Sequence, residues 1–347
     1  MAAELSLAGF KVNLVELPQF EYNLIAIRKR GGIQISGSGR EALVMPNMVT
    51  TDVRKAITEA DVIMFTVPAY GRRSFLDACV RHLRTPQILV FNTGYYAGLQ
   101  FYRELEKKGA IVSETASLLY LCRLIGPAHL FLDGVKRFLQ IAAIPASDTG
   151  NVTDALKDVY PQLTPASNVL ETSLGNQNAV FHIPVYLANK GCLERDGKER
   201  SIPVVDAVTP SVARLMDSID AERRALSEEL RIDVLSIGES ITRYYGTEGR
   251  STYELVHNCK PYATYTYDFK NGQNPYVKED WSYGLAPMAS LGDVLKVPTP
   301  AIDSLITMGS IVDGADYWSE GLTAEKLGLD GLDQKQMVQL ANEGTNS

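Results

Sequence analysis

One histidine in this chain stands in a setting that suits proton transfer. The stretch from Leu174 to Glu194, LGNQNAVFHIPVYLANKGCLE, reads as a helix. At 100° per residue, Asn178, His182 and Asn189 fall within about 40° of one another on one face. The other faces carry Val180, Phe181, Val185, Tyr186 and Leu187. Pro184 has no N–H to give to the carbonyl of Val180, so a kink or a loosened turn is expected beside His182. A polar stripe with one histidine next to such a turn suits a proton-handling site. The same pattern also fits a core histidine satisfied by one hydrogen bond. A second stretch, NPYVKEDWSYGLAP from Asn274 to Pro287, places Glu279 and Asp280 just ahead of an expected helix. Acids favour a helix N-terminus for electrostatic reasons alone. Alternatively, Asp280 orients His182 and raises its basicity, as a carboxylate fixes an imidazole tautomer. Sequence spacing leaves their distance open.

The elements that must position these groups change character along the chain. Up to about residue 172 the pattern is α/β and reads as a Rossmann-like doubly wound sheet; residues 173–347 read as a helical domain. The opening MAAELSLAG is a short helix stopped at Gly9, and KVNLVEL is a buried strand ending at Glu16. Helix, turn, strand and terminal acid form the second half of a dinucleotide-binding βαβ unit, in which that acid holds the ribose hydroxyls. Glu16 would repel a 2′-phosphate and so favours NAD over NADP. No strand followed by GxGxxG precedes the helix, and GGIQISGSG, Gly31 to Gly39, sits after the second strand, where it reads as a loop or hairpin. The first strand of such a sheet is central, and leaving it out strands two rows of backbone groups at about 1–3 kcal/mol each. The pattern therefore predicts a strand and glycine turn of roughly 10–20 residues upstream, with Met1 internal to the first helix. Thr51 is expected to cap a helix over Asp52–Ala60, and Asp61 to Val67 is a continuous apolar strand. Further strands are expected at Gln87–Asn92, Ile111–Glu114, about His129–Val135 and Phe138–Ile144. The loops Pro68–Gly71 and Asn92–Gly98 follow strand carboxyl ends, the edge that faces a ligand. Pro68, Ala69, Asn92 and Gly94 are the candidate cofactor contacts there, small residues letting backbone amides approach; ordinary turn chemistry explains them equally well. In the second half, Thr209-Pro210 opens a long amphipathic helix to about Arg231. Further helices fit Asp233–Tyr244, Ser251–Asn258, Tyr283–Leu295 and Pro300–Val312, and Cys259–Val277 reads as a surface loop. A nucleotide domain followed by a helical one places chemistry in the cleft between them.

The totals narrow the function classes. The 347 residues suffice for about two domains, and 45% hydrophobic with 22% charged content is that of an ordinary globular protein. A net charge of -7 argues against nucleic acid or an anionic membrane as the main partner. No apolar run reaches membrane-spanning length, about 18 residues, and no basic leader opens the chain. Cys79, Cys122, Cys192 and Cys259 are scattered and never form CxxC, which fits free thiols in a reducing cytoplasm. Four histidines without ligand spacing give no metal site.

Several segments together resemble the NAD/NADP octopine/nopaline (opine) dehydrogenase family over nearly the whole length. They are VELPQF with the following GGI, ADVIMFTVPA, FNTGYYAG, ETASLLYLCRLIGP, NVLETSLGNQNAVFHIP, VTPSVARLMDSIDAER, EDWSYGLAPMASLG and VPTPAID. The resemblance implies a Rossmann domain followed by a helical domain of the 6-phosphogluconate dehydrogenase C-terminal type. It implies the reductive joining of an amino acid to a 2-oxo acid, commonly pyruvate, with NAD or NADP as coenzyme. Carried across, it makes His182 the catalytic acid/base and Asp280 its partner, turns Asn178 toward the substrate, and sets Cys122 near the amino-acid side. The loops at Pro68 and Asn92 would approach the coenzyme's ribose and nicotinamide. This chain departs from the pattern at the missing glycine fingerprint and at Pro275, where many members carry an arginine five residues before the aspartate. An arginine fork grips a carboxylate in two places; Lys278, the nearest cation in sequence, offers only a point charge. Two other readings remain: a reductase turning a 2-oxo acid into a hydroxy acid, and a non-catalytic ligand-binding relative. A homodimer through the helical domain is a further expectation.

Overall fold

The computed structural model describes residues 1–195, 200–269 and 275–345. Its strands are β1 Asn13–Val15, β2 Ile33–Gly37, β3 Arg40–Val44, β4 Met48–Thr50, β5 Val62–Phe65, β6 Ile88–Phe91, β7 Ile111–Thr115, β8 Tyr120–Gly126, β9 His129–Val135, β10 Leu139–Ile144, β11 Leu163–Pro165, β12 Arg200–Pro203 and β13 Thr266–Phe269. The main sheet has five strands in the order β11-β10-β7-β6-β5. In it β5, β6 and β7 run parallel and β10 is antiparallel to β7. Apolar runs such as ILVF make β6 at home in the middle, where Phe65 stacks on Phe91 at 4.7 Å and Phe91 on Phe101 at 5.5 Å. β1 and β4 pair in parallel as a separate two-stranded sheet. Gly31–Gly39 spans the first strand of a hairpin, β2 with β3, which joins β9 and β8 in a four-stranded sheet. The sequence pattern does not reveal β8, whose faces alternate irregularly across a bulge against β9.

From Val169 onward most of the chain is helical, as the Rossmann-plus-helical reading requires. Local differences from the sequence pattern have definite causes. Asp52, not Thr51, caps the helix Val53–Ile57, its carboxylate accepting the Lys55 N–H at 3.0 Å. The long helix around His182 is interrupted at Gly175, giving Val169–Leu174 and Asn178–Leu193. A Cβ at Gly175 would lie 2.7 Å from the Glu171 carbonyl, so the turn needs glycine for this close approach. Asp280 does not precede a helix. It lies inside continuous helical chain, Pro275–Glu279, then a π-helical turn Asp280–Leu285, then Ala286–Leu295. The wide turn runs up to Pro287, which has no N–H to close an ordinary one.

The expected surface loop over Cys259–Val277 is also different. It holds the helix Lys260–Thr264 and β13, which pairs antiparallel with β12; residues 270–274 lie outside the described residues. Its tyrosines pack inward because their rings find other aromatic rings. Tyr262 sits 5.3 Å from Phe181 and Tyr267 5.5 Å from His182. One contiguous core contains Leu89 and Phe91 of the main sheet together with Val180, Ile183, Met216, Trp281 and Leu305 of the helices, so the two parts share a packed boundary.

Candidate active site

His182 lies on the second turn of the helix Asn178–Leu193, and Asp280 opens the π-helical turn. The His182 ring nitrogen Nδ1 is 2.7 Å from Asp280 Oδ2. A carboxylate only accepts, so Nδ1–H is the donor and Nε2 keeps its lone pair for other work. Asp280 is 1% exposed while the His182 side chain keeps 23% of its surface open. The other carboxylate oxygen, Oδ1, accepts the Tyr95 hydroxyl at 2.5 Å. Both acceptor sides of Asp280 are thus filled, which fixes its plane and the imidazole's with it. Tyr95 belongs to the loop after β6 and has φ +50°, an uncommon left-handed backbone for a bulky residue. The π turn is wedged by Trp281, fully buried and stacked on Tyr317 at 5.1 Å. Gly284 in that turn approaches Ala179 so closely that a Cβ would stand 2.6 Å from Ala179 Cβ. The two elements carrying the dyad are therefore in direct contact.

The strand-end loops are tied to the same centre. Ala69 N–H donates to Glu279 Oε1 at 2.5 Å, joining the loop after β5 to the residue beside Asp280. Arg72 is fully buried; its guanidinium donates to the Gly94 carbonyl at 2.6 Å and to the Thr93 carbonyl, and lies 4.0 Å from Glu279. Burial pulls the Arg72 guanidinium below its ordinary value, opposed by Glu279 and Glu114. Burial pushes the Glu279 carboxyl up to about 7; Arg72 opposes the rise and Asp280 adds to it. Gly94 N–H donates to the Thr115 carbonyl at 2.7 Å, and a Cβ there would meet Glu114 Oε1 at 2.5 Å. Asn92 is spent at the sheet rim, giving to the Val90 carbonyl at 3.2 Å and accepting from Thr115 at 3.3 Å. The amides of Ala69 and Gly94 therefore have partners within the protein, and Pro68, which leads into the turn Ala69–Gly71, has no amide to offer.

The remaining candidates are distributed around this centre. Asn178, the first residue of its helix, is half-buried one turn before His182, and its side chain has no hydrogen-bond partner among the described residues. Asn189 is not part of the site: it donates to the carbonyls of Val185 and Ala207 at 2.8 and 3.1 Å. Glu16 stands just beyond β1, accepting from Asn23 at 3.2 Å, its carboxyl raised by burial against that hydrogen bond. Cys122 is exposed on β8, and no hydrogen bond joins it to the dyad. Lys278 turns to solvent and lies 3.9 Å from Glu320, so it is no substitute for an arginine fork. Tyr95, Arg72 and the tyrosines of Cys259–Val277 escape sequence reasoning, although GYYAG after a strand is itself an unusual loop. Asn176 is a further omission: its Oδ1 caps the Asn178 N–H at 3.0 Å.

Glu16 and the loops after β5 and β6 all follow strand carboxyl ends, the edge that faces a ligand in such a sheet. The amide cradle that a pyrophosphate needs is not found in these residues, since GxGxxG does not occur at a strand-to-helix turn.

The model for the NAD/NADP octopine/nopaline dehydrogenase alpha-helical domain matches residues 165–312. An opine dehydrogenase from Arthrobacter sp. (strain 1C) is 33% identical over 314 residues, 88% of this chain and 86% of that protein. The chain belongs to the opine dehydrogenase family. A more distant relative, a vitopine synthase from Allorhizobium ampelinum, is 23% identical, covering 92% of this chain and 88% of that protein. Among solved structures, octopine dehydrogenase with NADH and agmatine superposes with a TM-score of 0.74 at 16% identity, covering 97% of this chain and 93% of that one. The family is NAD/NADP dependent, and this member is an NAD(P)-dependent oxidoreductase of the Rossmann-plus-helical fold.

Proposed function

We propose that this opine dehydrogenase relative joins the amino group of an amino acid to a 2-oxo acid by reductive condensation, and runs the reverse oxidation of the CH–NH product. The observation that carries the reading is the 2.7 Å contact between His182 and a doubly anchored Asp280, beside strand ends that suit a coenzyme. With Nδ1–H held by Asp280, Nε2 is the open position. It takes a proton from the substrate ammonium, freeing the amine to attack the oxo carbon. The resulting imidazolium, stabilised by Asp280, returns a proton to the departing oxygen as water leaves and the imine forms. Bound NAD(P)H supplies the hydride that reduces the imine. Asn178, on the same helix face one turn earlier, contributes an amide to hold the substrate. Phe181, Tyr262 and Tyr267 wall the histidine and keep water from the imine carbon.

The test is amino-acid-dependent oxidation of NADH with pyruvate over an amino-acid panel, for the unmodified protein and for His182→Ala. The substitution should lower kcat by about 10³-fold, within the range for losing a positioned acid/base. Turnover equal to that of the unmodified protein would falsify the mechanism. Oxidation of NADH by the oxo acid alone, with no amine required, would make the protein a 2-oxo acid reductase instead.

A further inference from the structure

A second charged group stands near the end of the main sheet from which the Tyr95 loop departs. Lys136 follows β9, and its main chain is anchored by N–H donation to the Leu119 carbonyl at 2.9 Å. Its ammonium donates to Ser117 Oγ at 2.5 Å and lies 4.2 Å from the centre of the Tyr244 ring. The residue is half-buried, and no carboxylate lies within ion-pairing distance of it among the described residues. Burial alone pulls its ammonium down to about 7. A cation so placed, desolvated and without a counter-ion, is costly unless an anion arrives. Three other cations are committed: Arg72 to Thr93, Gly94 and Glu279, Arg123 to Asp133 at 3.4 Å, and Lys278 toward Glu320.

Its neighbours locate Lys136 between the sheet rim and the start of the catalytic helix. Ser117 follows the carboxyl end of β7. Thr115 Oγ1 bonds both the Ser117 carbonyl at 2.8 Å and Asn92 Oδ1 at 3.3 Å. Asn92 begins the loop that carries Tyr95 to Asp280. On the other side, Tyr244 shares the helix Ile237–Tyr245 with Ser240, which receives the amide of Gln177, the residue just before the helix of His182.

We propose that Lys136, with Ser117 beside it, holds the carboxylate of the 2-oxo acid. The inference rests on the reductive-condensation reading. The oxo carbon must lie at the sheet rim to receive hydride, and Lys136 stands on that rim with no carboxylate beside it among the described residues. The far side of His182 is aromatic, which suits the other substrate's side chain. Lys136 thereby takes the part that an arginine at position 275 would play, from a different element.

The test compares pyruvate with its neutral methyl ester, with the amino acid held saturating, for the unmodified enzyme, Lys136→Met and Lys136→Arg. The unmodified enzyme should prefer pyruvate by 30-fold or more in kcat/KM. Lys136→Met should abolish that preference, raising KM for pyruvate while KM for the amino acid moves less than 3-fold. Lys136→Arg should restore most of the preference. A preference that survives in Lys136→Met overturns the assignment even when that variant is less stable, because the comparison is made within one protein. Calorimetric titration with pyruvate needs no turnover and separates this inference from the reaction itself. Binding that weakens at least 10-fold in Lys136→Met supports the anion site whether or not an amine is ever consumed. Equal binding by the two proteins, or none by either, overturns it. Absence of amine-dependent turnover with intact pyruvate binding counts against the condensation reading and leaves the anion site standing.

Discussion

At the residue scale, the dyad's value lies in what Asp280 cannot do otherwise. Its two oxygens are held by His182 and Tyr95 and it is 1% exposed, so its plane is fixed and it is shielded from solvent. In Asp280→Asn, the amide that replaces one oxygen must face either the imidazole or the phenol as a donor. His182 would then be driven to the other tautomer or lose its partner. The expected outcome is a fall in kcat of about 10²–10⁴-fold, with a KM for pyruvate changed far less, read by steady-state kinetics. This pair was half legible in the sequence. The polar face of LGNQNAVFHIP marked the histidine, and EDWSYGL offered an acid, but 98 residues separate the two and no periodicity sets a distance across that gap. Tyr95 was illegible for the same reason, since its role depends on where a loop after β6 meets a distant helix. Lys136 was hidden because a lysine in sequence looks like a solvated charge.

At the element scale, the π-helical turn and the helix of His182 meet through Gly284 and Ala179. In Gly284→Ala the added methyl would stand 2.6 Å from Ala179 Cβ, so one helix must move. Overpacking of this kind costs about 1–3 kcal/mol, and here the displacement falls between His182 and its orienting acid. Denaturant midpoints should fall by that amount, while kcat should drop by more than 10-fold, and the companion substitution Ala179→Gly should recover much of both. Full activity in Gly284→Ala would show that the two helices do not set the dyad's spacing. Helix and strand types were mostly readable from periodicity and continuous apolar runs. The π turn was not, because a widened turn has the composition of an ordinary one. The tyrosines of Tyr262–Tyr267 read as loop because the Lys-Asn-Gly run at 270–272 follows them closely and the short YATYTY stretch holds no sustained period of two or 3.6.

At the scale of the whole molecule, Glu279 joins the two parts through Ala69, at a cost that depends on pH. Its carboxyl titrates near 7 in the fold against an ordinary value of 4.5. The folded state therefore binds the extra proton between those values, and stability is lost as pH rises through that window. The loss amounts to roughly 3 kcal/mol by the linkage between a pKa shift and folding. Glu279→Gln should remove this slope: unfolding measured from pH 4.5 to 7.5 should show the unmodified protein falling relative to the variant. Parallel curves would mean that Arg72 and the Ala69 amide keep the carboxylate charged throughout.

The single core that runs from the main sheet into the helices also has a reporter built into it. Cys79, beneath the sheet, is 6% exposed and Cys259, among the helices, is fully buried, while Cys122 and Cys192 are exposed. A thiol reagent added to the native protein should modify the two outer cysteines quickly and the two inner ones only when the chain opens. Because both inner sulfurs sit in one continuous core, they should become reactive together, at one rate and one denaturant concentration. Mass spectrometry of the alkylated peptides would then count the cooperative units of this enzyme directly: simultaneous labelling means one, and Cys259 yielding ahead of Cys79 means that the helical half breathes by itself.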